Sequence, residues 1–372
     1  MAKGERKTIP PNVQKELWAR AAGRCEFRGC NRLVFRDGLT KQRSNLSVIS
    51  HIVAAEPGGP RGDPVRSPEL CKDISNLMLT CRDHAKVVDD GTLVDQYPEP
   101  LLIEFKREHE ERIQRVTGIT ADAQSRIYIV QAPVSGRLPT IPEREVAPAL
   151  LPRYPADEHA MICDLNSFGK QTCSPEGLRV AAQAVGESVG TLQAVQLRDR
   201  KHLSVFALAP IPLLVCLGRK LGDLDDLDAY QRHRVTASWA WPAEEKPDEY
   251  YRVELDDPLA PEVVVLLSVS ARVGRSLAMA HVPPSTPVIE VRARKTGVDF
   301  LRSRARLDVF ALAARELMGD LHEKGVTTVH VFAAAPSPVA IEFGRAARTL
   351  NGELIVYEYD EGKRSYETSL GV

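Results

Sequence analysis

The chain has 372 residues, of which 43% are hydrophobic and 27% charged, and its formal net charge at neutral pH is -1. This length predicts two or three domains, because a single hydrophobic core stops growing at roughly 250 residues. The composition excludes a disordered or fibrous chain, and the longest apolar runs fall short of the roughly 18 residues that a membrane span needs. We therefore expect no membrane partner. Seven cysteines and no recognisable signal peptide favour a reducing, cytoplasmic setting in which thiols bind metal or stay free.

Charge is unevenly distributed along the chain. Residues 1–45 contain eleven Lys and Arg but only four Asp and Glu. Such a local excess of positive charge predicts a surface that faces phosphates, and the alternative is a solvated helical face.

The predicted elements form a compact first domain over residues 1–117. The apolar spacing indicates an amphipathic helix that begins at Pro11 and ends near Gly23. A cysteine-containing loop follows this helix. The pattern then predicts a strand near 46–52, a loop at 56–64, a strand or helix start at 74–79, a short helix at 81–88 and a charged amphipathic helix at 100–116.

Two half-sites with the spacing of metal ligands lie in this domain. Four residues separate Cys25 from Cys30, and two residues separate Cys81 from His84. Three sulfurs and one imidazole are the closed tetrahedral ligand set of a structural zinc. The alternative is that these four residues are unrelated. A single pair of cysteines, without the second pair of ligands, would not exclude that alternative.

Between the half-sites lie His51 at a predicted strand end, a glycine-rich loop, and Asn76. This order, followed by a terminal helix with a histidine, resembles the HNH endonuclease family, whose ββα-metal fold holds a catalytic divalent cation. Phosphodiester hydrolysis needs a water deprotonated near neutral pH, and histidine titrates in that range, so we assign His51 as the general base. Mg²⁺ or a similar hard ion would supply positive charge to the transition state. Asn76 is suited to orient the base through a hydrogen bond to the backbone near it, which the resemblance also implies.

Two positions depart from the family pattern. Many members bind the catalytic metal through an aspartate or histidine before the base, where this chain has Ser50. A second metal ligand often follows the last zinc ligand directly, where this chain has Ala85. We assign Asp89, one turn after Ala85, as the substitute ligand of the catalytic metal. Asp73 is the alternative, and either carboxylate could be a solvated surface charge.

A competing assignment exchanges the metal ligands. It gives His84 to the catalytic metal and recruits Cys71 to the zinc. The spacing of Cys71 does not match a half-site, so the zinc set with His84 is the prediction that we retain.

A proline-rich segment precedes a second pattern. Six prolines between Pro133 and Pro155 predict a boundary, so residues 118–155 would be a linker with a leading strand at 126–130. After residue 156, apolar strands alternate with helices, which predicts a Rossmann-like α/β sheet. The segment from Val205 to Arg219 reappears 126 residues later and ends at Arg345. Two copies of one unit are therefore expected, at about residues 156–285 and 286–372.

The repeat region resembles the SAVED domain, a fusion of two CARF-like, Rossmann-type units that binds cyclic oligonucleotides. Together with the first domain, the resemblance implies an HNH-SAVED effector of bacterial CBASS antiphage defence, in which a nucleotide signal drives oligomerisation and DNA degradation. The stretches that carry the SAVED resemblance are 206–218, Tyr230-Gln231-Arg232 leading to Trp239-Ala240-Trp241, 331–344 and 356–359.

A cyclic nucleotide presents phosphates and flat bases, so its site should offer cationic or backbone N–H groups and stacking surfaces. In Rossmann-like units, ligands lie beyond the carboxyl ends of the strands. The two tryptophans could stack on a base or fill the core, and core packing is the favoured role for at least one of them. The predicted activator contacts are Pro210, Trp239, Trp241, Arg294, Lys295, Thr296, Pro336, Ser337, Tyr359 and Lys363.

The expected fold class is thus α+β in an HNH domain with a structural zinc, followed by α/β in a SAVED domain. The leading hypothesis is a metal-dependent endonuclease, active as a homo-oligomer, that degrades double-stranded DNA in antiviral defence once a cyclic di- or oligonucleotide binds its C-terminal half. One alternative is an unregulated HNH restriction-type endonuclease. Another is a non-catalytic, zinc-stabilised DNA-binding regulator that responds to a nucleotide.

Overall fold

The computed structural model describes residues 8–222, 224, 226–246, 251–256 and 260–372. The chain divides between Thr120 and Ala121 into two compact units, called here the N-terminal unit and the C-terminal unit. Both contain helices and strands, so the mixed α/β class expected from the sequence is confirmed.

The N-terminal unit is built on one antiparallel strand pair followed by a helix. Its elements are α1 (Pro11–Arg20), β1 (Ser47–His51), α2 (Arg66–Leu70), β2 (Leu77–Cys81), α3 (Arg82–Val88) and α4 (Glu99–Thr117).

The pairing of β1 with β2 sets the geometry of the N-terminal unit. The strands run antiparallel, with Ser47 opposite Cys81 and His51 opposite Leu77. All of β2 is buried, which explains its continuous apolar sequence. Because α3 begins directly after β2, the strand pair and the helix form the predicted ββα order. The assignment of this unit to the HNH family stays a prediction.

The C-terminal unit contains two sheets, most of whose strands run parallel. Its elements are β3 (Gln124–Gln131), α5 (Glu143–Val146), β4 (Tyr154–Pro155), β5 (Met161–Asp164), α6 (Pro175–Asp199), β6 (His202–Leu208), α7 (Ile211–Leu221), β7 (Leu227–Tyr230), β8 (Tyr251–Leu255), β9 (Glu262–Ser268), α8 (Arg275–Met279), β10 (Val288–Ala293), α9 (Arg304–Glu323), β11 (Thr328–Ala334), α10 (Ser337–Ala346), β12 (Glu353–Asp360) and β13 (Ser365–Gly371).

The two sheets repeat one topology. In the first, β3 pairs in parallel with β6 on one side and with β4 and β5 on the other, and β6 pairs with β7. In the second, the order is β13-β12-β11-β9-β10-β8, and β10, β9, β11 and β12 are parallel. Strands β5, β3, β6 and β7 therefore correspond to β10, β9, β11 and β12. This correspondence explains the internal repeat seen in the sequence.

The predicted boundaries of the repeats need correction. The first repeat begins two strands earlier than expected, with β3, and the second begins one strand earlier, with β9. The proline-rich segment 118–155 is therefore not a spacer. Its β3 is almost wholly buried and lies between strands of the first sheet. Val146 and Leu150, which follow β3, are buried against the same sheet. Several prolines of this segment stand where short helices begin, a position that proline favours.

A close contact between α7 and α10 joins the two repeats. Gly218 faces the backbone carbonyl of Ile341, and Gly344 faces the backbone carbonyl of Val215. A Cβ atom at either glycine would lie far inside van der Waals distance of that carbonyl oxygen. The Gly-Arg pairs of the sequence repeat are thus the point at which the two helix backbones touch.

The arginines that follow these glycines also act reciprocally. Arg219 donates to the backbone oxygen of Gly352 at 3.1 Å, in the second repeat. Arg345 donates to the backbone oxygens of Gly222 and Leu224, in the first repeat, at 3.2 and 2.7 Å. Each guanidinium therefore satisfies carbonyl groups at the far end of the partner repeat.

Among the described residues, none of the helices combines the length and the apolar character that a bilayer-spanning segment needs.

The glycine contact predicts a matched pair of stability effects. Gly344→Ala should destabilise the C-terminal unit by about 3 kcal/mol, because an added methyl group would force the two helices apart. Gly190→Ala is the control: it lies inside α6 with open space around it, so Ala should stabilise the helix by about 0.5–1 kcal/mol. Urea unfolding measures both, and equal midpoints for the two variants would contradict the prediction.

Candidate functional site

The four predicted zinc ligands come together in the N-terminal unit. Cys25 and Cys30 lie in the turn after α1, Cys81 ends β2, and His84 lies in α3. Their ligand atoms all lie within 4.8 Å of one another. The Nδ1 atom of His84 is 3.6 Å from the sulfur of Cys25 and 3.3 Å from that of Cys81. Within the described ranges, this is the one group of at least three potential ligands that is compact enough to hold a metal ion.

The chemistry of this donor set fits zinc. Tetrahedral zinc, with Zn–S near 2.3 Å and Zn–N near 2.0 Å, places sulfur and nitrogen ligands about 3.5 Å apart, close to the distances found. Burial raises the pKa of the Cys25 thiol to about 12, and the neighbouring thiols act in the same direction. A divalent cation is what makes clustered thiolates stable in such a setting. The ring of Phe27 stacks on that of His84 with 4.2 Å between centroids, which fixes the imidazole plane.

His51 is held through one of its two ring nitrogens. Its Nε2 atom lies 3.0 Å from the backbone carbonyl oxygen of Cys71. A carbonyl oxygen only accepts hydrogen bonds, so the neutral imidazole carries its proton on Nε2. The lone pair then lies on Nδ1, which is the basic atom of this side chain. The side chain is half-buried rather than enclosed.

Asn76 links the two segments that hold this imidazole. Its side chain accepts from the Val53 N–H at 2.7 Å and donates to the carbonyl oxygens of Val53 and Leu70 at 2.9 and 3.2 Å. Val53 lies two residues after His51, and Leu70 directly precedes Cys71. The Asn76 amide therefore forms hydrogen bonds with the backbone near His51, as predicted from the sequence. A part in catalysis stays a prediction.

Arg61 is a further positioning residue, and the sequence pattern did not single it out. It lies in the glycine- and proline-rich loop between β1 and α2. Its guanidinium donates to three backbone carbonyl oxygens, those of Ile52, Val88 and Tyr97. Arg61 therefore fastens the end of β1, which carries the histidine, to the end of α3. The signal available in the sequence was one arginine inside a loop of glycines and prolines.

The two carboxylates considered for a catalytic metal have different surroundings. Partial burial raises the pKa of Asp89, while the positive charges of His51 and Arg61 act in the opposite direction. Asp89 is therefore within electrostatic reach of the histidine. The Asp73 carboxylate instead accepts from the backbone N–H and the hydroxyl of Ser75 at 2.8 and 2.7 Å. Asp73 thus serves as a cap of a 3₁₀ turn.

The two positions that depart from the family pattern face the core. Ser50 is 1% exposed, and its hydroxyl lies 2.8 Å from that of Thr80 on the paired strand. Ala85 is 5% exposed and has no side-chain ligand atom. Neither side chain therefore offers a ligand atom to a catalytic metal, and Asp89 as its ligand stays a prediction.

In the C-terminal unit, the carboxyl ends of the two parallel sheets adjoin. The first residue of α7, Ile211, donates its backbone N–H to Glu358 Oε2 at 2.9 Å. Helix α7 starts just beyond the carboxyl end of β6, and Glu358 lies near the carboxyl end of β12. The bond thus joins the rims where ligands of Rossmann-like units bind. Burial of its carboxyl group raises the pKa of Glu358 to about 7. This residue was not among the predicted contacts.

Some predicted activator contacts are buried. Trp239 is 1% exposed and packs edge-on against Phe206, with 5.3 Å between centroids. It fills the core and leaves no ring face for a base, because the chain after β7 folds back over the sheet. Pro210 and Pro336 are buried residues that precede α7 and α10. Trp241 is half-buried beside the same core cluster.

The other predicted contacts lie at the carboxyl rim of the second sheet and are exposed or half-buried. Tyr359 is 37% exposed and contacts Tyr366 edge-on at 5.3 Å. Lys363 forms an ion pair with Glu367 at 2.9 Å. Arg294, Lys295 and Thr296 directly follow β10, and Ser337 begins α10. Tyr359 lies near the end of β12, and Lys363 follows that strand.

Comparison with known proteins identifies the C-terminal region. Residues 191–372 match the family model of the SMODS-associated and fused to various effectors sensor domain, SAVED. Residues 191–372 are therefore a SAVED domain. The matched range contains both glycines of the α7–α10 contact and the whole second repeat. No curated protein matches the chain.

Solved structures similar to the chain include SAVED/CARF-domain containing receptors named Cap4. The receptor of Acinetobacter baumannii with the cyclic trinucleotide 3'3'3'-cAAA is 13% identical with a TM-score of 0.47, over 77% of this chain and 62% of that chain. The receptor of Moraxella osloensis is 12% identical with a TM-score of 0.38, over 77% of this chain and 60% of that chain. The chain therefore spans about three fifths of the length of these receptors.

The cluster predicts how metal content responds to substitution. Cys25→Ser should remove bound zinc and unfold the N-terminal unit, because one of four ligands is lost. Cys71→Ser is the control, since the Cys71 sulfur lies outside the cluster and only donates to the Pro68 carbonyl. Elemental analysis and thermal melting measure both effects. Zinc lost from both the Cys71 variant and the Cys25 variant would support the competing ligand assignment.

Glu358 predicts a pH-dependent stability of the SAVED domain. Its folded pKa is raised by burial, so its contribution to stability is present below pH 4.5 and is lost as pH rises through about 7. Glu358→Gln keeps an acceptor for Ile211 without the buried charge. Its melting temperature should match the parent near pH 4.5 and exceed it at pH 8. Glu353→Gln, at an exposed position of the same strand, should show no such change. If the melting temperatures of Glu358→Gln and the parent differed by the same amount at every pH, the predicted effect of the Glu358 charge on stability would be refuted.

Proposed function

We propose that the chain is a nucleotide-activated DNA endonuclease of the CBASS type of antiviral defence. In this proposal, a cyclic di- or oligonucleotide binds the SAVED domain, and the N-terminal unit hydrolyses phosphodiester bonds of double-stranded DNA. The active form in this proposal is a homo-oligomer, which would bring two catalytic centres to the two strands of a duplex.

The sensor half of the proposal is supported by the SAVED match and by the joined rims of the two sheets. Cationic and hydroxyl groups after β10 and at the start of α10 suit phosphates, and exposed Tyr359 suits a base. Trp239 has no part in this proposal, since it is buried.

The nuclease half is supported above all by the hydrogen bond from His51 to the Cys71 carbonyl. This bond leaves Nδ1 unprotonated, so His51 can take a proton from a water molecule that attacks phosphorus. Asn76 and Arg61 keep the ring in place by binding the backbone on either side of it. A hard divalent cation such as Mg²⁺, held by Asp89, would supply positive charge to the transition state.

The zinc ligands have a scaffold role in this proposal. Their four residues tie the turn after α1 to the end of β2 and the start of α3. With all four positions occupied by protein, zinc would have no open position for substrate, which is typical of structural sites.

The second candidate function is a non-catalytic, zinc-stabilised DNA-binding regulator. Burial of Ser50 and Ala85, at positions where relatives bind the catalytic metal, favours this alternative. The two functions differ in what His51 does: a nuclease needs its basic nitrogen, and a regulator does not.

The decisive experiment measures plasmid cleavage by the full chain with Mg²⁺ and a panel of cyclic di- and trinucleotides. One panel member should switch on cleavage. His51→Ala should then lose at least about a hundredfold in rate while its affinity for that nucleotide is unchanged, because a general base contributes 10²–10⁴-fold. His159→Ala, at an exposed position of the C-terminal unit, should behave as the parent.

Each alternative gives a different result. Cutting without any nucleotide would favour the unregulated restriction-type enzyme. Nucleotide-dependent DNA binding without cutting by the parent would favour the regulator. Light scattering with and without the active nucleotide tests the homo-oligomer, and an unchanged mass would remove oligomerisation from the mechanism.

A further inference from the structure

A basic groove lies on the N-terminal unit, outside the His51 and cysteine sites. It has a volume of about 440 Å³. Four cationic side chains and one carboxylate line it, together with two uncharged residues: Arg24, Arg32, Arg36, Lys41, Asp37, Leu33 and Gly38.

The single carboxylate of the groove is committed to its own turn. Asp37 Oδ1 accepts from the backbone N–H groups of Leu39 and Thr40 at 3.0 and 2.7 Å and from the Thr40 hydroxyl at 2.9 Å. These bonds lower the pKa of Asp37, so it stays ionised but turned to the backbone. As an ionised group beside Lys41, it offsets one of the four positive charges, so the groove keeps an excess of three.

Three of the four cations form no close ion pair with a carboxylate within the described part of the chain, although Lys41 interacts electrostatically with Asp37. Arg24 donates to the Asn31 carbonyl at 3.0 Å, Arg36 to the Lys41 carbonyl at 2.7 Å, and Lys41 to the Gly38 carbonyl at 2.6 Å. Carbonyl oxygens orient these side chains without cancelling their charge. Each cation also keeps further N–H donors.

Arg32 is the exception, since it pairs with Asp83 at 2.9 Å. Both side chains of that pair are more than half exposed, at 55% and 71%. An exposed pair of this kind contributes little and opens readily in salt or beside a competing phosphate.

The groove is carried by two consecutive loops, each closed by an antiparallel bridge. Antiparallel bridges join Arg24 to Leu33 and Arg36 to Arg43. Between them, Val34 is fully buried in the core cluster that includes the zinc-ligand positions. The backbone that carries the cations is therefore held by the same core as the cysteine cluster. A fixed backbone spacing of cations favours a partner with regularly placed negative charges.

We infer that this groove binds the phosphate backbone of duplex DNA without reading its sequence. This inference rests on the proposed function and names the surface by which the substrate is held. Exposed Arg and Lys side chains supply the electrostatic part of DNA binding, which is independent of base sequence. Proteins that hold single strands also provide aromatic rings for stacking, and none of the seven residues that line this groove is aromatic. Duplex DNA is thus the polyanion that the groove fits best.

The test measures DNA binding without cutting. Full-length protein with His51→Ala binds a fluorescent 20-base-pair duplex over a series of salt concentrations, and anisotropy gives the dissociation constant. Adding Arg36→Gln and Lys41→Asn should weaken binding roughly tenfold and reduce the slope of log K against log salt by about two, since each lost phosphate contact removes about 0.9. Asn tolerates the positive φ of 59° found at Lys41, so the turn should persist.

A matched control removes two positive charges elsewhere. Arg107→Gln with Arg115→Gln neutralises two exposed positions of α4 and should leave affinity and slope unchanged. Circular dichroism and zinc content of both double variants establish that the unit stays folded.

Three outcomes would overturn the inference. The first is equal affinity and slope for the groove variant and its parent. The second is no salt-dependent duplex binding by the parent. The third is an equal groove-dependent loss for single-stranded DNA or RNA of the same length, which would make the groove a general site for polyanions. Because binding is read in a cleavage-deficient background, absent nuclease activity would refute the proposed function and leave the groove result standing.

Discussion

The contact of two glycines, one on α7 and one on α10, is the constraint on which the architecture of the SAVED domain depends. Gly218 and Gly344 let the two helix backbones meet, and Arg219 and Arg345 then reach carbonyl groups of the opposite repeat. This arrangement brings the carboxyl rims of both sheets together at the bond between Ile211 and Glu358. A ligand contacting both rims would therefore sense any change in how the repeats pack.

The N-terminal unit holds His51, the catalytic side chain under the proposed function, in a small domain with a limited core. Among the described residues, the His51 ring forms its hydrogen bond with a backbone carbonyl oxygen rather than with a side chain. The Cys71 carbonyl sets the tautomer, Asn76 fastens the adjoining segments, and Arg61 closes the loop over three carbonyls. These hydrogen bonds need little buried apolar surface. At the other end of the strand pair, the cysteine cluster would hold the chain in place through a bound metal.

The sequence predicted those features that depend on the chemical type of a side chain. Cys25, Cys30, Cys81 and His84 were identifiable because few residue types bind zinc, and the Gly-Arg repeat because close helix contact demands glycine. The Cys71 carbonyl was not identifiable, since every residue carries one. The start of the second domain was misplaced at residue 156, because prolines that begin short helices have the same composition as a linker. Trp239 was misassigned because spacing cannot tell which face of a folded-back segment meets the core.

The burial of Ser50 and Ala85 also constrains how a catalytic cation would be held under the proposed function. A hard cation such as Mg²⁺ keeps several waters and is bound by one or two carboxylates together with substrate phosphates. Asp89 supplies one carboxylate, and the positive charge of Arg61 lies within electrostatic reach of it. The protein alone therefore offers weak attraction for a cation, and a DNA phosphate would complete both the charge balance and the ligand set. Cation and DNA would then bind cooperatively, so that the catalytic centre forms only where substrate is already held.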